Sequence, residues 1–167
     1  AGAHAAPLEV VRPVASCASL TGTDLSAIGG KGSAVTAAEE TTSGGIAVCS
    51  VTGTLMPQIH FQVLLPMDSW TQRYLQVGCG GLCGNITLTS GASAGCQVLN
   101  DGGFVMAATD MGHSGDDDSW GLDAQQRRDF AYAAQHQTSE AAKALIAAFY
   151  GQPPRYSYFN GCSDGGR

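Results

Sequence analysis

The chain has 167 residues, of which 44% are hydrophobic and 13% are charged, a composition typical of a globular protein rather than a disordered one. Its net charge of −6, with eight scattered Lys and Arg residues, argues against nucleic acid or an anionic membrane as a partner, because phosphate groups are bound by clustered basic residues. No apolar run of about 18 residues is present, so no membrane-spanning helix is predicted, and the length indicates a single domain.

The N-terminal segment and the cysteine content indicate a secreted protein. Residues 1–15 are small and mostly uncharged, and we interpret them as an extended or disordered leader that remains after removal of a signal peptide. Six cysteines in a chain of this length are typical of an oxidising compartment. We therefore expect the protein to be extracellular.

The segment between Cys17 and Cys49 is rich in Thr, Ser and Gly and shows little hydrophobic periodicity. Packing alone would hold it poorly, so we predict a Cys17–Cys49 disulfide, to which the loop-entropy model assigns about 3–4 kcal/mol. The pairing of Cys79, Cys83 and Cys96 stays open, since sequence does not determine connectivity. A zinc site on these three residues is disfavoured, because thiolate zinc sites usually need a second closely spaced pair.

Beyond residue 44 the chain alternates strand-like and helix-like patterns. The segments rich in Ile, Val and aromatic residues, which predict strands, are 45–51, 58–65, 74–77, 102–109 and 156–159. Residues 136–150 place apolar side chains at three- and four-residue spacing, which predicts a helix that ends at Gly151. This order of elements indicates an α/β fold with a mostly parallel sheet and flanking helices. We interpret the acidic run 116–118 as a solvated loop rather than a calcium site.

The segment after the last predicted strand carries the candidate chemistry. Gly161, Ser163 and Gly165 match G-x-S-x-G directly after a strand, which is the context of the nucleophile elbow of α/β-hydrolases. Such a turn lifts the serine hydroxyl clear of the sheet and points the backbone N–H of the next residue, Asp164, towards a forming oxyanion. We predict Ser163 as the catalytic nucleophile and Asp164 as an oxyanion donor.

A nucleophile elbow needs a second oxyanion donor from a loop that follows an earlier strand. The glycine cluster 78–84 follows the third predicted strand, and we predict the backbone N–H groups of Gly80 and Gly81 as donors. Taken alone, the cluster is equally consistent with a structural turn stapled by a cysteine. A phosphate-binding loop is not indicated, because no G-K-[ST] follows the glycines.

The elbow and the glycine cluster belong to a wider set of segments, which are RYLQVGCGGLCG (73–84), GGFVMAATDMGH (102–113), DFAYAAQH (129–136), AKALIAAFYG (142–151) and YFNGCSDGGR (158–167). Together these segments resemble the tannase and feruloyl esterase family of secreted α/β-hydrolases. The Cys-Ser pair in the elbow is the specific feature, because ordinary hydrolases lack it. In this family the elbow cysteine forms a disulfide with the cysteine directly before the catalytic histidine, so the resemblance implies that role for Cys162.

The rest of the catalytic machinery is not recognised in this chain. The triad of α/β-hydrolases follows the order Ser, acid, His, so Asp110 and Asp123 come too early to supply the acid. The four histidines of the chain all precede Ser163, and we interpret each of them as structural or loop-capping. They are His4, His60, His113 and His136. The resemblance implies that the acid, the histidine, the partner of Cys162 and a substrate-binding lid lie on a second chain or downstream of Arg167.

The resemblance also implies a domain organisation. Residues 1–167 would be the N-terminal part of a single α/β-hydrolase catalytic domain, with its C-terminal half and lid outside this chain. Residues 1–44 would form the leader and the disulfide-stapled segment, and residues 45–167 the first strands through the nucleophile elbow. No metal site or catalytic cofactor is expected in this chain, and a calcium ion in the lid is implied by the resemblance only.

The function that these residues indicate is hydrolysis of carboxylic esters by a serine nucleophile. The resemblance implies esters of aromatic, hydroxycinnamic acids as substrates, with feruloyl esterase as the leading activity. The alternatives within the family are a tannase, which acts on gallate esters, and a hydrolase of terephthalate-type esters. The alternative of another class is a non-catalytic secreted binding module with a stapled glycine-rich loop.

Overall fold

The computed structural model describes residues 7–89 and 91–167, and their central feature is a six-stranded sheet with the order β1-β2-β3-β5-β4-β6. The strands are β1 (Ala34–Ser43), β2 (Ile46–Leu55), β3 (Ile59–Pro66), β4 (Arg73–Val77), β5 (Phe104–Thr109) and β6 (Tyr156–Asn160). The α-helices are α1 (Ser26–Gly29), α2 (Gln97–Asn100), α3 (Ala124–Arg128) and α4 (Ala134–Tyr150), and the π-helical turn Asp129–Ala133 joins α3 to α4. Short 3₁₀ helices lie at Cys17–Leu20, Gly91–Ser93, Ser119–Leu122 and Ser163–Gly166.

The N-terminal half of the sheet is an antiparallel meander of β1, β2 and β3. Gly44 and Gly45 join β1 to β2 with φ values of 55° and 81°, the left-handed conformation that a two-residue hairpin turn favours. The sequence pattern does not predict β1. This strand is rich in Thr, Ala and Glu, and its side chains are mostly exposed at the edge of the sheet. It therefore lacks the apolar alternation by which the other strands are recognised.

The C-terminal half of the sheet is parallel, since β4 pairs in parallel with both β5 and β6. The strand β5 joins this half to the meander by antiparallel pairing with β3. All five predicted strands are present, and the α/β class is confirmed. The expected parallel pairing holds for β4, β5 and β6, whereas the pairings that involve β2 or β3 are antiparallel. The carboxyl ends of β4, β5 and β6 meet at one edge of the sheet.

The helix predicted at residues 136–150 is confirmed as α4, which packs on β3 and β5. The helical segment begins earlier than predicted, because Asp123 caps α3 by accepting the backbone N–H of Gln126. Gly151 ends α4 with a left-handed φ of 75°, as expected of a C-terminal glycine. The fully buried large apolar side chains of α4 are Leu145, Ile146 and Phe149.

The predicted Cys17–Cys49 disulfide is confirmed, and it joins the first 3₁₀ helix to β2. In the segment before Cys17, the backbone N–H of Val11 donates to the carbonyl of Trp70 at 2.9 Å. This part of the predicted leader is therefore held against the segment between β3 and β4. Residues 1–6 lie outside the described residues. The division of the chain at residue 44 stays a prediction.

The strand β6 lies at the edge of the sheet opposite β1, and its side chains are exposed on both faces. Tyr156, Tyr158 and Phe159 are 46%, 48% and 54% exposed. Within residues 7–89 and 91–167, no helix combines the length and the apolar character that crossing a membrane would require.

Candidate active site

The predicted nucleophile lies at a sharp turn directly after β6. The strand ends at Asn160, and a short 3₁₀ helix begins at Ser163. Ser163 has a φ of 56°, which is a left-handed conformation that residues other than glycine rarely adopt. Its side chain is exposed. Strained backbone of this kind concentrates at functional sites, and here it presents the serine hydroxyl outward from the carboxyl edge of the sheet.

The two glycines of the G-x-S-x-G motif allow this turn to close. A Cβ atom on Gly161 would overlap the carbonyl group of Gly165. A Cβ atom on Gly165 would lie 2.6 Å from the carbonyl oxygen of Cys79, and one on Gly78 would lie 2.5 Å from the carbonyl oxygen of Gly165. The motif therefore has a steric reason: side chains at these positions would push the turn away from the loop that follows β4.

The glycine-rich loop after β4 packs directly against the elbow. Its first residue, Gly78, donates its N–H to the carbonyl of Asn160 at 2.9 Å. A disulfide joins Cys79 to Cys83, a pairing that sequence reasoning leaves open, and the Cys83 sulfur lies 4.0 Å from Oδ2 of Asp164. The loop therefore meets both the strand that precedes Ser163 and the residue that follows it.

The predicted oxyanion donors occupy this arrangement at two places. Asp164 follows Ser163 in the turn, and its carboxylate forms an ion pair with Arg167, with Oδ1 of Asp164 3.0 Å from a guanidinium nitrogen. Gly80 and Gly81 are exposed in the disulfide-closed loop, and Gly81 has a left-handed φ of 59°. The orientation of the Gly80 and Gly81 amides towards a substrate oxygen stays a prediction.

A buried polar chain ties β4 to α4 beneath this edge. The Tyr74 hydroxyl donates to Oε1 of Gln76 at 2.5 Å, and Nε2 of Gln76 donates to the backbone carbonyl of Gln135 at 2.8 Å. Burial raises the pKa of Tyr74 well above its ordinary value, so the hydroxyl stays protonated and remains a donor. This chain fixes the strand that leads into the glycine-rich loop.

The described histidines are engaged away from Ser163. His60 Nδ1 lies 2.6 Å from Oδ2 of Asp110, and His136 Nε2 lies 3.5 Å from Oε2 of Glu140. The buried ring of His113 stacks on Trp120 with centroids 5.0 Å apart. His4 lies outside the described residues. Among the described residues no histidine ring is hydrogen-bonded to Ser163.

The remaining two cysteines, Cys96 and Cys162, are free and exposed. Cys162 immediately precedes the predicted nucleophile, so its thiol is presented at the same edge as the Ser163 hydroxyl. The Cys79 and Cys83 sulfurs are bonded to each other, so neither is a thiolate that could bind a metal. In the part of the chain that the structure describes, no three His, Cys, Asp or Glu side chains are grouped as a metal ion would require.

A cleft of about 470 Å³ opens beside the turn. The π-helical turn supplies Phe130 and Tyr132 to its wall, β6 supplies Phe159, and the elbow supplies Asp164 and Arg167. The lining therefore includes three aromatic side chains beside the charged groups of the elbow, which is a suitable surface for an apolar or aromatic group.

Comparisons with known proteins find similar sequences over most of this chain. The family model described as tannase and feruloyl esterase matches residues 43–167. A mono(2-hydroxyethyl) terephthalate hydrolase from Piscinibacter sakaiensis is 35% identical over 121 residues, which are 66% of this chain and 20% of that protein. A probable feruloyl esterase B-1 from Aspergillus fumigatus is 35% identical over 119 residues, which are 71% of this chain and 21% of that protein.

Solved structures show the same fold. The crystal structure of feruloyl esterase B from Aspergillus oryzae matches with a TM-score of 0.70 and 26% identity, covering 90% of this chain and 33% of that one. A tannin acyl hydrolase from Aspergillus niger matches with a TM-score of 0.54 and 24% identity, covering 80% of this chain and 28% of that one, a likeness of fold alone. The predicted α/β-hydrolase fold is thereby confirmed. The chain spans about a fifth of the length of the curated relatives it matches.

Proposed function

The chain belongs to the tannase and feruloyl esterase family, and from that premise we propose that the protein containing it hydrolyses carboxylic esters of aromatic acids through Ser163. One observation carries the proposal: the left-handed turn that exposes Ser163 lies directly against a glycine-rich, disulfide-closed loop. A nucleophilic hydroxyl and two sources of backbone N–H groups therefore lie close together. This is the arrangement that acyl transfer requires.

In the proposed reaction, the Ser163 hydroxyl oxygen attacks the ester carbonyl carbon while a histidine base removes its proton. The negative charge that develops on the carbonyl oxygen is stabilised by the backbone N–H of Asp164 and by N–H groups of Gly80 and Gly81. The histidine then protonates the leaving alcohol, and water hydrolyses the acyl-serine by the same steps in reverse order. Each oxyanion donor contributes about 3–4 kcal/mol in comparable enzymes.

The base and its carboxylate are proposed to come from a downstream segment or a second chain, together with a lid. In support, the described histidines are engaged elsewhere, and the triad order of the fold places both groups after the serine. We propose that Cys162 forms a disulfide with a cysteine next to that histidine. Its thiol is free, exposed and adjacent to Ser163, so such a bond would hold the base beside the nucleophile.

Feruloyl esters are the proposed substrates. A fungal relative found by sequence is described as a probable feruloyl esterase B-1, and feruloyl esterase B from Aspergillus oryzae is among the similar solved structures. Tannase and terephthalate-type activities are the competing proposals, since relatives with these names also match. The aromatic lining of the cleft beside the elbow suits all three acids. Two disulfides in the described residues support secretion, and no residue of this chain is assigned to a cofactor; a calcium ion in the lid remains a proposal for the downstream segment.

A substrate panel tests this proposal in the full-length protein. Methyl ferulate, methyl gallate and mono(2-hydroxyethyl) terephthalate are compared by kcat/KM for the wild type, Ser163→Ala and the control Ser157→Ala, which changes an exposed serine on β6. We expect methyl ferulate to be the best substrate and Ser163→Ala to lose at least about 10⁴-fold in kcat. Hydrolysis of none of the three esters would instead favour a non-catalytic binding module.

A further inference from the structure

Asp110 lies at the carboxyl edge of the sheet and is only 3% exposed, and its carboxylate accepts several hydrogen bonds. Its Oδ1 accepts the backbone N–H of His60 at 3.0 Å and that of Gly112 at 2.9 Å. Its Oδ2 lies 2.6 Å from Nδ1 of the His60 ring. One side chain therefore satisfies groups from both β3 and the loop after β5.

These contacts shape the turn formed by residues 110–115. Met111 and Gly112 both have left-handed φ values, 68° and 89°, and the bond from the Gly112 N–H to the Asp110 carboxylate closes the turn at this point. Gln58 holds the other side by donating its Nε2 to the Gly112 carbonyl at 2.8 Å. Without the carboxylate, the Gly112 N–H would lose its acceptor in a buried setting and the His60 N–H in a partly buried one.

The same turn is hydrogen-bonded on both sides to the backbone of Gly84, which ends the glycine-rich loop. The Gly84 N–H donates to the Asp110 carbonyl at 3.2 Å, and the Gly115 N–H donates to the Gly84 carbonyl at 3.0 Å. A side chain on Gly84 would overlap the Gly115 carbonyl, so the two segments are in direct backbone contact. Gly84 follows the Cys79–Cys83 ring immediately, so its position sets where the ring sits on the elbow.

We propose that Asp110 is a positioning residue for catalysis, which acts by holding the loop of residues 79–84 against the Ser163 turn. This inference rests on the proposed function, because the loop is the source of the second oxyanion donor there. Asp110 itself does not touch the reacting atoms. Three strand spacings separate β3, which carries His60, from β6, about 14 Å, so the His60–Asp110 pair is too distant to serve as the base for Ser163.

The test compares Asp110→Ala, Asp110→Asn and the control Asp116→Asn in the full-length protein. Asp116 is an exposed carboxylate just beyond the same turn, so its change removes an equal charge without touching the hydrogen bonds of Asp110. We expect Asp110→Ala to lower kcat about 100-fold with KM within about twofold, because misplacing an oxyanion donor by about 1 Å has this effect. Asp110→Asn keeps one acceptor oxygen, so its kcat should be about tenfold higher than that of Asp110→Ala. The control should equal the wild type.

Amide hydrogen exchange supplies a readout that does not depend on turnover. Peptides that cover residues 78–88 and 110–115 should exchange at least about tenfold faster in Asp110→Asn, while peptides from β1 and β2 remain unchanged. If Asp110→Ala does not fold, Asp110→Asn alone decides. Unchanged exchange in the loop, or a kcat equal to wild type in a folded Asp110 variant, would overturn the inference. An inactive wild type would refute the proposed function, and faster loop exchange would then still support the anchoring of Gly84 by Asp110.

Discussion

The two halves of the sheet are built on different principles. In the meander of β1 to β3, the inward-facing side chains of β2 and β3 are buried, and a disulfide ties β2 to the segment before β1. In the parallel half, β6 is exposed on both faces, and the cysteine after it is free. The buried strands β4 and β5 contribute to the same core as the meander and α4, so the contrast is between this core and the exposed strand β6, after which the candidate chemistry lies.

Paired phenylalanine truncations provide the largest test of this division. Phe149 is fully buried on α4, whereas Phe159 on β6 is 54% exposed. We expect Phe149→Ala to reduce the free energy of unfolding by about 3–5 kcal/mol, the usual effect of a cavity left by a buried ring. Phe159→Ala should change it by less than about 1 kcal/mol. Urea denaturation of the 167-residue chain measures both, and equal losses would contradict the division.

Disulfide removal compares the two halves through their own crosslinks. Replacing Cys17 and Cys49 by Ser opens a link between residues 32 apart, and we expect a loss of about 3–4 kcal/mol in unfolding free energy. Replacing Cys79 and Cys83 opens a link between residues 4 apart, for which the same model gives about 2 kcal/mol. Thermal unfolding of the two double variants checks the order. A larger loss at the short link would contradict this order and would mean that the loop after β4 contributes more stability than its short ring predicts.

The substitution Gly165→Ala tests whether the close contact between the Ser163 turn and the glycine-rich loop is needed for activity. Its Cβ would lie 2.6 Å from the Cys79 carbonyl oxygen, so the turn and the loop must separate. We expect Gly165→Ala to lower kcat of the full-length protein about 100-fold in the proposed reaction, equivalent to about 2.7 kcal/mol. Gly121→Ala is the matched control, because a Cβ there meets no atom within 4 Å. Equal kcat values for both variants would show that close contact between loop and turn is dispensable.

The smallest expected effect concerns Asp129, in the π-helical turn between α3 and α4. Burial raises its pKa, with a hydrogen bond from Gln125 opposing the shift. A folded-state pKa above the unfolded value means that the folded state binds the proton more tightly. The free energy of unfolding should therefore fall as pH rises from the unfolded pKa, near 4, through the raised folded value.

Asp129→Asn removes this dependence, so its stability relative to wild type should improve as pH rises over that interval. Urea denaturation at a series of pH values measures the difference. A difference between the two proteins that stays constant from about pH 3 to pH 7 would contradict a raised pKa at this carboxyl group.

Local patterns account for what the sequence could predict. G-x-S-x-G after an aromatic strand indicates the turn at Ser163, and Gly151 marks the end of α4, because each is a signal contained in a few neighbouring residues. The Cys17–Cys49 link follows from a segment too polar to pack by itself. The roles of Gly80, Gly81 and Cys162 remain predictions that the geometry accommodates.

Long-range contacts account for what the sequence could not predict. The strand β1 is recognisable only through its partner β2, because its own side chains are mostly exposed. The Cys79–Cys83 ring is one of several pairings that the spacing allowed. Asp110 looked only like an acid placed too early for a triad. Its role emerges from contacts with His60 and Gly84, which lie 50 and 26 positions away along the chain.

Covalent labelling of Ser163 tests the central claim most directly. The full-length protein is treated with a serine-directed fluorophosphonate and digested, and the peptide that contains residues 160–167 is analysed by mass spectrometry. The account predicts one adduct per molecule on Ser163, absent from Ser163→Ala and retained in Ser157→Ala. Hydrolysis of methyl ferulate by a protein that remains unlabelled at Ser163 would contradict it.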